Sequence, residues 1–372
     1  GKHCRTICQK QAVGCVAANL FCDFAALQFC RSRSNPKASL CLLRFCREVC
    51  LLSRPDLPAN RPARLDALFA RPAAAVALAV LCNCLWGAAF PFIKLGYRLY
   101  AIDSGDTASI LVFAGVRFVL AAALVWLCGL LVNRRPPRFP RCRLLAECCA
   151  LGLWQTGLQY ALYYSAAAVL TGALGSILNS TQSFLGVILA HFLCGGSDRL
   201  TPRKLLGCAL GFAGVLAASV TGSEGGSLPG MLAMLGAAAV FAAAGPWNKR
   251  VTRKADSFAV CCLNLGAGGG ALALLGLAMG GRLRPQAAGA LPVLLFLAFI
   301  SGAGYVLWAL LMKNNPVSRI AVFGLLIPVV TVLLSALLNG ETLADWRYLA
   351  ALALVCAGIW LVNLRPAPHK GD

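Results

Sequence analysis

The stretch CCALGLWQTGLQYALYYSAAAVLTGALGSILNSTQSFLGVILAHFLCGGS, Cys148 to Ser197, contains no Lys, Arg, Asp or Glu. As one helix it would run about 75 Å, against a bilayer hydrocarbon core of about 30 Å, so it folds back once, most simply near Ser165 to Gly172. Two spans precede it: Ala73 to Ile93, and Ala108 to Val132, interrupted only by Arg117. Six follow: Leu205 to Thr221, Met231 to Asn248, Phe258 to Met279, Leu291 to Met312, Val317 to Asn339 and Tyr348 to Val362. The Gly-rich GSEGGSLPG, Gly222 to Gly230, reads as a turn between the fifth and the sixth. The chain of 372 residues is 59% hydrophobic and only 13% charged, with mean hydropathy +0.74. Soluble domains carry about 25% charged residues, so the solvent of this chain is lipid. The expected fold class is all-α, polytopic membrane, with ten transmembrane helices.

The loop charges test that count. The net charge of +21 would point to nucleic acid in a soluble protein, but here the basic residues lie between apolar runs, as loop charges do. The first 72 residues are set aside. They hold eight of the 19 cysteines and no Met, show no sustained period, and end in Pro55, Pro58, Pro62 and Pro72. They read as a non-native or disordered extension, with a cysteine-rich accessory segment as the alternative. No cysteine pair there has CxxC spacing and His3 is the only histidine nearby, so no metal site is expected. Alternating the loops of the rest puts sixteen Lys and Arg on one side and five on the other. The rule that basic loops stay in the cytoplasm then places both termini there.

The two halves repeat. Trp86 to Lys94 reads WGAAFPFIK and Phe241 to Lys249 reads FAAAGPWNK, each with an aromatic first, paired Ala third and fourth, Pro sixth and Lys ninth. Tyr160-Ala-Leu-Tyr163 matches Tyr305-Val-Leu-Trp308, and Phe212-Ala-Gly-Val-Leu216 matches Cys356-Ala-Gly-Ile-Trp360. The offsets are all about 145 to 155 positions. Five spans per unit is odd, so the second copy enters from the opposite face. The expected organisation is two inverted five-helix repeats, residues 73–221 and 229–364, followed by a cytoplasmic tail, 365–372. Such repeats are a common plan of secondary transporters, with the site near the midplane between them.

With these residues in view, the chain resembles the ten-helix branch of the drug/metabolite transporter superfamily, the EamA-type exporters. The resemblance rests on Trp86, Gly87, Phe90 and Lys94, on the Arg117-Phe118 pair, and on GYVLWALLMKNNPVSRIAVFGLLIPVVTVLLSALLNGETL from Gly304 to Leu343. In the last stretch Pro328 and Glu341 fit the family's Pro and Glu that bracket the ninth helix. The likeness covers about Ala73 to Leu364. It departs in the first half, where Asn179-Ser-Thr-Gln182 lacks the matching Pro and Asp198 stands where Glu is usual. It implies export of amino acids, other metabolites or toxic compounds across a bacterial inner membrane, without ATP hydrolysis or cofactor.

Candidate substrate-binding residues follow from polar and aromatic side chains inside spans. Asn83, Gly87, Phe90 and Lys94 are spaced to share one face of the first span, which also carries Trp86. Pro91 and Pro246 remove backbone hydrogen bonds at matching depth, so either broken helices or packing kinks are expected. The third span carries Gln155, Gln159 and Tyr163 along one stripe and Thr156, Tyr160 and Tyr164 along another; the fourth carries Asn179 and Gln182. These line a cavity for an amphipathic solute, or bond helix to helix. Tyr305, Trp308 and Met312 repeat at helical spacing, as cavity wall or as packing. Trp247 and Asn264 are further candidates, and the resemblance adds Pro328. Arg117 is the one charge well inside a span. It serves either the substrate or as a structural anchor, to helix carbonyls or to a carboxylate such as Asp106. Gly211, Gly214, Ala353, Ala357 and Gly358 permit close helix approach and would suit a homodimer face.

Other functions fit less well. Ser176 and His191 lie fifteen residues apart on one helix, about 22 Å, too far for a catalytic pair. There is no GxxxxGK[ST] phosphate loop, so an intramembrane enzyme or ATPase lacks its parts. A channel would show charge rings or a carbonyl filter, and a sensor would need an output domain. The partners expected are a small-molecule substrate and the bilayer, not nucleic acid.

Overall fold

The computed structural model describes residues 61–103, 105–167, 169–170, 172–194, 198–219, 227–339 and 346–364. Glu341, the cysteines before residue 61 and most of the Gly222–Gly230 turn lie outside them. All regular structure among the described residues is helical. In chain order the helices are α1 Arg61–Ala70, α2 Pro72–Leu99, α3 Thr107–Asn133, α4 Cys142–Gly152, a π-helical turn Leu153–Leu158, and α5 Gln159–Ala167. Then come α6 Gly172–Cys194, α7 Pro202–Ser219, α8 Leu228–Thr252, α9 Ser257–Ala278 and α10 Ala290–Asn314. Next are the short α11 Val317–Ala321, a 3₁₀ turn Val322–Leu325, α12 Leu326–Asn339 and α13 Trp346–Asn363. Five of these, α2, α3, α8, α9 and α10, are long and apolar enough to cross a membrane. One helix ends at Ala167 and the next begins at Gly172, within the stretch where the charge-free run was expected to fold back.

Short polar residues start the long helices. The Asp106 carboxylate accepts from the Ser109 N–H at 3.0 Å, Ser227 Oγ from the Gly230 N–H at 3.3 Å, and Asp256 from the Phe258 N–H at 2.9 Å. The Asp106 carboxyl is held below the usual carboxylate range chiefly by hydrogen bonding from Ser109. α2 begins with Pro72 in its first turn, where a missing N–H costs nothing. Pro91 and Pro246, for which broken helices and packing kinks were the alternatives, lie inside continuous α2 and α8, so neither breaks its helix. Membrane helices tolerate interior proline where neighbours satisfy the freed carbonyls. The interruptions fall instead at Leu153–Leu158 and Val322–Leu325.

Small residues set how closely helices meet. A Cβ on Gly115 of α3 would lie 2.6 Å from the Gly269 carbonyl oxygen of α9, and one on Gly276 would lie 2.6 Å from that of Ala108. A Cβ on Gly207 of α7 would lie 2.7 Å from the Gly358 oxygen of α13, and one on Gly358 would lie 2.8 Å from the Gly211 nitrogen. On Gly186 of α6 it would lie 2.9 Å from the Ala321 Cβ of α11. In lipid, where apolar burial between helices gains little, such close approach supplies the packing. Gly211 and Gly358, expected to suit a homodimer face, pack against each other within the chain.

α1 lies in the segment set aside from the sequence. Its Asp66 accepts from Lys313 Nζ at 2.8 Å and from Asn314 Nδ2 at 3.1 Å, and the Phe69 carbonyl accepts from Asn315 Nδ2 at 2.9 Å. The end of α10 is thus tied to a helix that apolar periodicity could not reveal.

Adjacent glycines of α9 give a test. A Cβ on Gly269 would meet Phe118 Cβ at 2.7 Å, whereas one on Gly270 would meet nothing within 4 Å. Gly269→Ala should destabilise by about 1–3 kcal/mol through overpacking. Gly270→Ala should stabilise by about 0.4–1 kcal/mol by restricting the unfolded chain. Melting temperatures in nanodiscs should therefore move in opposite directions.

Candidate functional site

The first positions of the two repeated motifs meet. Trp86 of α2 and Phe241 of α8 pack edge to face, ring centroids 6.1 Å apart, and Trp308 of α10 joins them at 5.3 Å and 5.7 Å. Beside these rings lies a crevice of about 10 Å³, lined by Asn83, Trp86, Gln182, Ser183, Phe241, Trp308 and Met312 among others. That is room for about one water. Three polar atoms in this wall have no hydrogen-bond partner among the described residues: Asn83 Oδ1, Ser183 Oγ and Trp308 Nε1. Asn83 is 0% exposed and its Nδ2 donates back to the Ala79 carbonyl at 2.7 Å, which leaves the oxygen as a free acceptor. Polar atoms left unsatisfied away from water are costly, so a wall carrying three of them is adapted to a polar occupant.

Next to the crevice runs a closed polar chain. The π-helical turn brings Gln155 and Thr156 onto α9. Thr156 Oγ1 donates to Asn264 Oδ1 at 2.6 Å and lies 2.9 Å from the Tyr305 hydroxyl. With its one proton given to Asn264, Thr156 accepts from Tyr305. Asn264 Nδ2 donates to Gln155 Oε1 at 2.9 Å, and Asn248 Nδ2 reaches the same oxygen at 3.4 Å. Both ends of the Asn264 amide are engaged in this link between helices. π-Helical turns are rare and recur at functional sites, where the extra residue re-aims side chains.

The network continues through aromatic rings to Arg117. Tyr305 packs on Trp86 at 6.2 Å and on Phe118 at 6.3 Å, and Phe118 packs on Tyr160 at 4.7 Å. Tyr163 touches Tyr160 and Phe90, each at 6.3 Å. Arg117 is 3% exposed, with its guanidinium 4.4 Å from the Phe118 ring centroid and Tyr164 among its neighbours. Its Nε has no partner. Asp106 is occupied in capping α3, and no ion pair among the described residues includes Arg117.

Of the remaining sequence candidates, Gln159 is buried beside this cluster with Oε1 unpartnered, and Asn179 Oδ1 is unpartnered too. Pro328 is buried in α12, one residue from the lining residue Ile327. Lys94 is exposed, and Trp247 packs into a separate apolar cluster with Cys148, Leu151 and Val260. Phe241, six residues earlier in the same helix and not among the sequence candidates, lines the crevice. The motif alignment carried that signal, since Phe241 matches Trp86. Ser183 has no such signal; its neighbour Gln182 was the more polar choice. His191, the other half of the rejected catalytic pair, accepts from the Leu200 N–H through Nδ1 at 3.2 Å.

A second polar cluster ties one end of the bundle. Asp198, 1% exposed, accepts from the Ser318 N–H at 2.8 Å and lies 3.7 Å from Lys249 Nζ. Lys249 also donates to the Asn315 carbonyl at 2.8 Å. Lys204 donates to Ser318 Oγ at 2.9 Å and to the Arg199 carbonyl at 2.8 Å. The α6–α7 connection, the end of α8 and the start of α11 are thereby joined. Lys249 and Lys94 hold the same place in the repeated motif, yet only Lys249 is enclosed.

Comparison with known proteins places these features. The EamA-like transporter family matches twice, over residues 73–220 and 228–364. A probable amino-acid metabolite efflux pump of Salmonella typhimurium is 29% identical over 302 residues, covering 76% of this chain and 93% of that protein. An uncharacterised transporter of Bacillus subtilis is 27% identical over 77% of this chain and 90% of its own length. One crystal structure superimposes with a TM-score of 0.64 at 18% identity, spanning 79% of this chain and 98% of the other, and so shares the fold. The chain is a membrane-embedded transporter, and it belongs to the EamA-like transporter family.

Proposed function

We propose that the chain is a secondary transporter that moves small organic solutes, amino acids or related metabolites, outward by alternating access. The path runs through the crevice between two inverted five-helix quintets. The reading extends to ten crossings of a bacterial inner membrane, both termini cytoplasmic, as the loop charges favour. The observation that carries it is the meeting of equivalent positions. The first aromatics of the two motifs touch at Trp86 and Phe241. Tyr305 and the Tyr160 stripe meet through Thr156 and Phe118. α3 packs on α9, α7 on α13 and α6 on α11, each helix beside its counterpart in the other half. Two copies related by a twofold axis bring equivalent surfaces together in this way. The double family match supports the same reading.

Alternating access draws support from the asymmetry between the halves. The Asp198–Lys249–Ser318 cluster seals one end, while Lys94, the counterpart of Lys249, is exposed at the other. Matched lysines, one enclosed in an ion-paired cluster and one exposed, fit a carrier held in one of its two states. Solute entry widens the crevice, because about 10 Å³ admits no amino acid. Asn83, Trp86, Gln182 and Trp308 would contact the solute first.

Flux of a panel of amino acids and nucleosides into liposomes, with and without a pH gradient, tests the transport reading. Saturable flux is expected, with Trp308→Ala or Asn83→Ala reducing kcat/KM by about 10-fold, as loss of one good contact does. If the wild type moves no solute, transport by this chain is refuted; unchanged flux in both variants removes the crevice from the path. The seal has its own test. Asp198→Asn removes the charge facing Lys249 and should open that end more often. Labelling of Ser183→Cys by an impermeant maleimide, measured above the parent protein's background, should then accelerate several-fold from the Asp198 side, by population shift. An unchanged rate would exclude the cluster as a gate.

A further inference from the structure

We infer that Arg117 and the tyrosines around it form the carboxylate subsite of the transported solute, so that the preferred substrates are carboxylic acids of amino-acid type with an apolar side chain. The inference rests on the transport reading and adds the substrate class to it. An arginine side chain stays protonated in proteins. Arg117 carries its charge at 3% exposure inside a membrane helix, with no carboxylate paired to it among the described residues. Its neighbours Tyr97, Tyr160, Tyr163 and Tyr164 carry hydroxyls rather than carboxylates, and Phe118 offers a ring face. Hydroxyls satisfy donors but leave the charge uncompensated, and Nε lacks even a hydroxyl.

A carboxylate supplies what is missing: a negative charge and paired acceptor oxygens that match the guanidinium fork. The tyrosine hydroxyls can donate to its remaining lone pairs. Arg117 lies behind the crevice wall, and the packed rings of Phe118 and Tyr305 stand between it and Trp86. A solute in a crevice widened by parting the Phe118–Tyr305 contact would rest its apolar part on Trp86 and Trp308 and turn its carboxylate toward Arg117. The polar chain beside it has no charge to offer, since Asn264, Gln155 and Thr156 bond one another.

Leucine, leucinamide and 3-methylbutylamine, which share the side chain but differ at the carboxylate, test this on the full-length protein. Competition against labelled leucine in liposomes should rank leucine at least about 10-fold above both analogues, the cost of losing a charge-assisted pair. Arg117→Lys should keep the order at lower affinity; Arg117→Gln should abolish it. Wild-type protein that takes the amide or amine as well as the acid overturns the proposal, as does Arg117→Gln that folds and keeps the preference. Should Arg117→Gln fail to fold, the wild-type order and its retention in Arg117→Lys decide. If no solute is moved at all, the transport reading fails separately. Quenching of intrinsic tryptophan fluorescence by leucine against leucinamide then judges the subsite alone, and equal affinities, or no binding of leucine, reject it.

Discussion

Hydrocarbon offers no hydrogen bonds, so every polar group carried into it must be answered by the protein or by something the protein holds. That constraint sorts the interior of this transporter into two kinds of polar residue. One kind is answered internally: Thr156, Asn264, Gln155 and Tyr305 form a closed chain across α9, α10 and the π-helical turn. The other kind is not: Asn83, Ser183, Trp308 and Arg117 keep unpartnered atoms in the crevice wall or beside it. Asn248 belongs to both, bonding to Gln155 through Nδ2 and keeping Oδ1 unpartnered.

The same solvent explains the packing. Leucine against lipid is as comfortable as leucine against leucine, so helices are drawn together where glycine lets backbones touch. Those contacts fall between α3 and α9, between α7 and α13 and between α4 with its π-helical turn and α9, and each joins one half of the chain to the other. A crevice on the line where the halves meet is therefore walled by both. This is why a tryptophan and a phenylalanine from matched motifs stand side by side at its centre.

Much of this was legible in residue order. Hydropathy delimits the long helices, and the motif beginning at Trp86 and its counterpart at Phe241 point to the crevice. What was not legible depends on local geometry. A π-helical turn at Leu153–Leu158 carries Gln155 and Thr156, so regular helical spacing does not by itself fix which side chains they meet. Trp247 and Phe241 sit in one motif, and only packing shows that the first enters an apolar cluster and the second lines the crevice. Lys94 and Lys249 are alike in sequence position and differ because one end of the bundle is enclosed. Asp198 reads as a loop residue until its contacts with Ser318 and Lys249 are seen.

Opposite orientation of the two halves is the claim on which crevice, gate and subsite all depend. It is most directly tested by reporter fusions at Gly105 and Ala255, the equivalent connections after the first helix of each half. Paired alkaline phosphatase and green fluorescent protein reporters in cells would read the side of each. Inverted quintets require Gly105 on the outer face and Ala255 in the cytoplasm; the two positions on one side would contradict them.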